Sequence, residues 1–152
     1  MANISRVLTG GETAMLSRVF GKGIAYASVR VHNFKRFFFQ PDNTAMTPNG
    51  EIYFPEKHYL ADFSAAPLSK RAWFVHEGAH LYQHYGLGWN VYVRGATDRN
   101  YSYTLDATKT KLSDYGLEQM GDIAQDYYTL TQGGAISLPY TLANYAALLP
   151  IP

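Results

Sequence analysis

Trp73-Phe74-Val75-His76-Glu77-Gly78-Ala79-His80-Leu81 decides how this chain is read. Its centre, His76 to His80, has the form HExxH. On an α-helix each residue advances by about 100°, so His76 and His80 lie one turn apart and within about 40° of each other. Two imidazoles then converge on one cation from a rigid surface. Glu77 projects about 60° to 100° away, too far round to join the same ligand set. It still reaches a water held by the ion. Neutral nitrogens that hold the metal, with a nearby carboxylate that takes a proton from water, are what zinc hydrolysis requires. With five histidines in 152 residues, random placement yields this triplet about half a per cent of the time.

The surroundings fit a helix buried beside a cleft. No charge other than Glu77 falls between Arg71 and Gly86. Ser69 or Ser64 is placed to cap the start, and Gly86 to supply a left-handed stop. Gly78 is the one poor helix former, costing about 1 kcal/mol against Ala, which points to a close-packed neighbour on that face.

A catalytic zinc site needs three protein ligands and an open position. A third histidine at position 86 would complete the longer HExxHxxGxxH motif, but that position is Gly86 and no histidine follows His84. The alternative is a carboxylate from a later helix. Residues 114–134 supply one: Leu117, Met120, Ile123, Ala124, Tyr127 and Tyr128 recur at helical spacing, Ser113 or Asp114 caps the start, and Gly133-Gly134 ends it. Glu118 is the expected third ligand. Asp122, one turn on, is expected to accept the second ring proton of a ligand histidine and so fix its tautomer. Asp126 continues the same stripe and is the substitute for Asp122. His84 reads as a rim residue, and Gln83 lies nearer the ligand face. Tyr115, one turn before Glu118, is the candidate for stabilising developing negative charge, with Tyr59, His58 and His84 as rivals.

The 152 residues read as one domain, 1–152, long enough for a real core. Net charge is +1, which argues for neither a nucleic acid nor an anionic membrane partner. With no cysteine, disulfides and thiolate metal sites are excluded. The 13 Tyr and 8 Phe read as core and cleft walls. The opening MANISRVLTGGE lacks an apolar signal region, and no stretch approaches the ~18 apolar residues of a membrane span.

The order of elements predicts an α+β fold. Thr9-Gly10-Gly11-Glu12 is a capping-box signal for a helix to about Phe20, broken by Gly21 and Gly23. Ile24 to Phe39 suggests one or two strands with Val29 and Val31 on one face. Thr47-Pro48-Asn49-Gly50 marks a turn, and Glu51 to Phe54 a short strand stopped by Pro55. Such a strand before the motif helix is expected to form the upper rim of the cleft, where an extended peptide can add. Trp89 to Val93 reads as a brief strand, 94–112 as a polar loop, and Ser137 to Leu149 as a last short helix with Pro139 in its first turn.

With these motifs in hand, the chain resembles the zincin metallopeptidases of the Glu-ligand (gluzincin) type. More narrowly it resembles the small HExxH domains associated with VgrG and Rhs proteins of bacterial type VI secretion. The resemblance rests on LTGGE near the start, NGEIYF at 49–54, YLADFS at 59–64, HEGAHLYQ at 76–83 and YGLEQMGDIAQDYY at 115–128. It implies a zincin-like core with a small sheet, an HExxH helix and a following helix that donates a glutamate. Carried over, His76, His80 and Glu118 bind Zn2+ and Glu77 is the general base. It further implies a zinc peptidase acting as an antibacterial effector. Such an effector is delivered without a signal peptide from the producer's cytoplasm to the target periplasm, with a VgrG-type spike and an immunity protein as partners. The alternatives are a peptidoglycan amide hydrolase and a non-catalytic zinc-containing adaptor of a secretion spike.

Overall fold

The Thr9 signal opens α1, Gly10–Phe20, and both halves of the capping box form. Thr9 Oγ1 accepts from the Glu12 amide, and Glu12 Oε1 accepts from the Thr9 amide, each at 3.0 Å. The structure, a computed structural model, describes residues 2–152. Among these residues, five helices surround one three-stranded sheet, so the fold is α+β. The strands run in the order β1 (Ser5–Val7), β2 (Arg30–His32), β3 (Ile52–Tyr53). β1 is antiparallel to β2, with Ser5 opposite His32, and β2 is parallel to β3, with Val31 opposite Ile52. Val29 and Val31 are both fully buried, as their shared face predicts. β1 was not foreseen: it has three residues, two of them exposed, and only its pairing with a distant segment makes it a strand.

The outer edge of β3 is bridged by Met46, whose amide and carbonyl both bond Tyr53. The segment around Met46 therefore forms the rim above the motif helix.

The motif helix, α2, spans Leu68–Tyr85. Pro67 precedes it with φ −55°, so neither Ser64 nor Ser69 is the cap; the Ser64 hydroxyl donates to Asp62 instead. Gly86 does follow the helix, but at φ −88°, and the left-handed residue is Gly88 at φ +67°. A β-carbon on Gly86 would stand 2.8 Å from the Gly23 carbonyl, so close approach explains this glycine. Gly78 has the same explanation: α1 packs so tightly on α2 that a β-carbon would lie 2.5 Å from Leu16 and 2.9 Å from Phe20.

Residues Val91–Gly95 form a short helix, α3, rather than the expected strand, because Asn90 Oδ1 accepts from the Val93 amide and starts a turn. The glutamate helix, α4, spans Leu117–Thr131. Its cap comes from the preceding loop: Asp98 Oδ2 accepts from the Leu117 amide at 2.7 Å. Asp114 bonds the Thr110 and Lys111 amides instead. Gly133, at φ +77°, ends this region as predicted. The last helix, α5, covers only Leu142–Tyr145, so Pro139 lies outside it.

α2 lies between α1 and α4. Phe74 of α2 stacks on Phe63 at 4.8 Å, and Phe63 on Phe54 at 4.5 Å, all three fully buried. Each such side chain contributes about 1.5–3 kcal/mol through burial. α2 is thereby held rigidly with one face toward α4. No helix among the described residues is long and apolar enough to cross a membrane.

Candidate metal centre

His76 and His80 leave α2 on the face that meets α4, and both point their Nε2 atoms at one oxygen. Glu118 Oε1, from the first turn of α4, stands 3.0 Å from each. One ligand atom from each of the three residues lies within 4.8 Å of the other two. Ligands held about 2.0–2.1 Å from a tetrahedral ion sit roughly 3.4 Å apart, so this donor set fits zinc in kind and spacing. The structure thus brings together the three side chains expected as ligands.

The far sides of both rings are fixed. His76 Nδ1 meets Asp122 Oδ1 at 2.9 Å, the contact expected of Asp122. His80 Nδ1 meets Gln83 Oε1 at 2.8 Å, and Gln83 Nε2 donates to the Leu117 carbonyl at 2.8 Å. The second bond orients the amide, because its NH2 is committed to a carbonyl. The oxygen facing His80 must accept, so His80 keeps a proton on Nδ1, and Nε2 is the nitrogen that a metal ion would take. Gln83 is completely buried.

The electrostatics match. Burial opposes a charge on His76, but hydrogen bonds to Asp122 and Glu118 outweigh it and raise its pKa to about 10. His80 is raised too, with burial again opposed by Glu118. Burial alone would raise Glu118, yet bonds from both imidazoles hold it well below the usual carboxylate range. Protons on the two Nε2 atoms thus occupy the place where a divalent cation would satisfy the same three groups.

Glu77 is nearly buried, and one of its oxygens, Oε1, accepts from Thr47 Oγ1 at 2.7 Å. Thr47 was not singled out in the sequence. It stands in the predicted turn, and only the Met46 bridge to β3 carries it to the motif helix. The amides and carbonyls of Ala45 and Thr47, either side of that bridge, have no protein partner among the described residues.

His76, His80, Glu118, Asp122, Glu77, Ala45 and Thr47 line one open cleft of about 880 Å³, with Gln83 buried behind it. Tyr115 does not reach it. Its hydroxyl accepts from the Asp106 amide at 3.0 Å, in a separate surface hollow of about 590 Å³. The rivals are elsewhere as well: Tyr59 receives Arg6, His58 lies against Trp73, and His84 packs at Gly50. Asp126 accepts from Tyr103 rather than joining the site.

The tyrosine at the cleft is Tyr101, stacked on His76 with centroids 6.1 Å apart. Burial, and then the charges of Glu118, Glu77 and Asp122, push its hydroxyl up to about 12, so it remains a proton donor at neutral pH. It lies in an aperiodic loop, and the sequence offered no signal to separate it from twelve other tyrosines.

Fold and site together define a small α+β domain whose open cleft is floored by a two-histidine, one-glutamate donor set. No family model matches the chain. It is similar to the effector domain of Pseudomonas aeruginosa VgrG2b, with a TM-score of 0.81 and 34% identity, over 95% of this chain and 84% of that one. It is also 38% identical to the type VI secretion system spike protein VgrG2b of Pseudomonas aeruginosa (strain PAO1), over 84% of this chain. The chain spans 13% of the length of that spike protein. The chain belongs to the VgrG2b effector-domain family. This corrects the family resemblance drawn from the motifs. The type VI secretion part stands, whereas both relatives are VgrG2b and neither carries the zincin name.

Proposed function

We propose that this chain is a zinc-dependent hydrolase of peptide bonds. In this proposal it is a toxic effector that a type VI secretion system carries on a VgrG-type spike into the envelope of target bacteria, while an immunity protein guards the producer. The observation that supports this most is the convergence of His76 Nε2, His80 Nε2 and Glu118 Oε1 on one point of an open cleft, with Glu77 beside it. A zinc ion bound there would supply a Lewis acid that makes water nucleophilic near neutral pH and polarises a carbonyl.

The chain's own groups supply the rest. Asp122 and Gln83 hold the rings so that both Nε2 atoms face inward. Thr47 fixes one Glu77 oxygen, and Glu77 takes the proton from the attacking water and returns it to the leaving amine. The Tyr101 hydroxyl donates to the carbonyl oxygen as charge develops there. The unpaired backbone groups of Ala45 and Thr47 offer an extended substrate a strand to pair with.

The test pairs elemental analysis with cleavage of envelope proteins. Glu77→Ala is expected to keep about one zinc per chain and to lose about 10²–10⁴ in rate. His76→Ala is expected to lose both metal and activity. Full activity in Glu77→Ala would sink the mechanism.

A further inference from the structure

The mouth of the cleft is walled by aromatic side chains that no core requires. Phe39 and Tyr92, with the apolar Val93 beside them, line it and are 57%, 51% and 61% exposed, and the neighbouring Phe38, outside the lining, is 95% exposed. Two walls meet here. On one, Phe37 and Phe39 stack at 5.0 Å with their planes 6° apart. On the other stands α3, whose Tyr92 lies 5.2 Å from Phe37. Phe39, Tyr92 and Val93 line the same cleft as His76, Glu77 and Glu118. Leaving four large apolar groups in water forgoes burial that a bound partner would restore.

We propose that these walls select extended polypeptide segments with large apolar side chains flanking the bond to be cut, Phe39 and Tyr92 being the specificity-determining residues. This names the substrate class of the site and rests on the hydrolase function proposed above. It disfavours peptidoglycan stems, whose side chains are small or charged and leave the rings in water. A polypeptide also suits the rest of the wall. Ala45 and Thr47, in the same cleft, present amides and carbonyls without partners, which an extended backbone satisfies and a lipid surface does not.

The experiment uses the full chain, loaded with zinc and carrying Glu77→Gln, so that binding is read without turnover. Two fluorescent ten-residue peptides of equal charge are compared by anisotropy, one with Phe and Leu at alternate positions, the other with Ser and Asn. The apolar peptide is expected to bind at least about tenfold tighter. Adding Phe39→Ser and Tyr92→Ser, both at exposed positions, is expected to reduce that preference to within about twofold, with zinc content unchanged. Equal affinity for the two peptides overturns the proposal, as does a preference that survives the double substitution. Purified sacculi bound as well as the apolar peptide also overturn it. So does binding to phosphatidylglycerol vesicles that needs Phe38 and Phe39 with no peptide preference. A selective protein that cleaves nothing in its unsubstituted form overturns the hydrolase function alone and leaves the selectivity standing.

Discussion

Glu12, buried, and Glu118, half-buried, are carboxylates held by a cation or by histidines, and they differ in how completely the protein satisfies them. Glu12 is fully buried and receives four donors: Arg6 Nη1 and the Thr9 amide at Oε1, Arg6 Nη2 and the Phe63 amide at Oε2. Nothing is left for a ligand, and the pair ties β1, α1 and the turn at Phe63 together. Glu118 takes both imidazoles on Oε1 alone, beside an open cleft. A closed network makes structure, and a network with one open side makes a site.

That contrast is most severely tested at Glu12. Glu12→Ala leaves Arg6 without its partner and is expected to cost about 3–5 kcal/mol of stability, while the folded fraction still binds zinc. Chemical denaturation with zinc titration of the folded protein checks this. A loss of metal binding with unchanged stability would erase the distinction between the two clusters.

Gln83 is the next lever. Gln83→Ala frees His80 Nδ1 and is expected to weaken zinc binding by about 10–100-fold, as is Asp122→Ala at His76. Competition with a chromophoric chelator measures it. An unchanged affinity in both variants would mean that the rings need no outer support.

The remaining expected effect is that of pH. His76 is raised to about 10, so without metal its contribution to stability is complete below its ordinary 6.5 and fades as pH climbs toward 10. Glu118 is lowered, so its contribution is present above its ordinary 4.5 and fades on acidification. Metal-free protein should therefore melt highest between those values and progressively lower from pH 7 to 10. Zinc replaces the same protons, so its affinity should rise with pH over that range, by up to about tenfold per pH unit for each proton displaced. Thermal scans with and without zinc read both, and a metal-free melting temperature flat from pH 7 to 10 would contradict the protonated cluster.

What was legible in the sequence was local. The His76–His80 spacing, the Thr9–Glu12 capping box and the periodicity around Glu118 each lie within a few turns of chain and encode their own geometry. Even Asp122 followed from being one turn beyond Glu118. What escaped depends on distant partners. β1 exists through pairing with Arg30–His32. Asp98 caps α4 across a loop, and Thr47 reaches Glu77 through a bridge to β3. Tyr115 has the right spacing from Glu118, but the Asp106 amide claims its hydroxyl, and Tyr101 arrives from an aperiodic loop instead. Asn90 starts a helix at Val91, within the stretch Trp89 to Val93 that reads as a strand.

Gly121 on α4 lies against the His76 ring, so closely that a β-carbon there would fall 2.5–2.7 Å from three ring atoms. With backbone on one side and Asp122 holding Nδ1, the imidazole has no room to turn over. An arriving ion meets donors already in their final orientation. Capture should then proceed as one fast second-order step, without the slower rearrangement phase that mobile side chains impose.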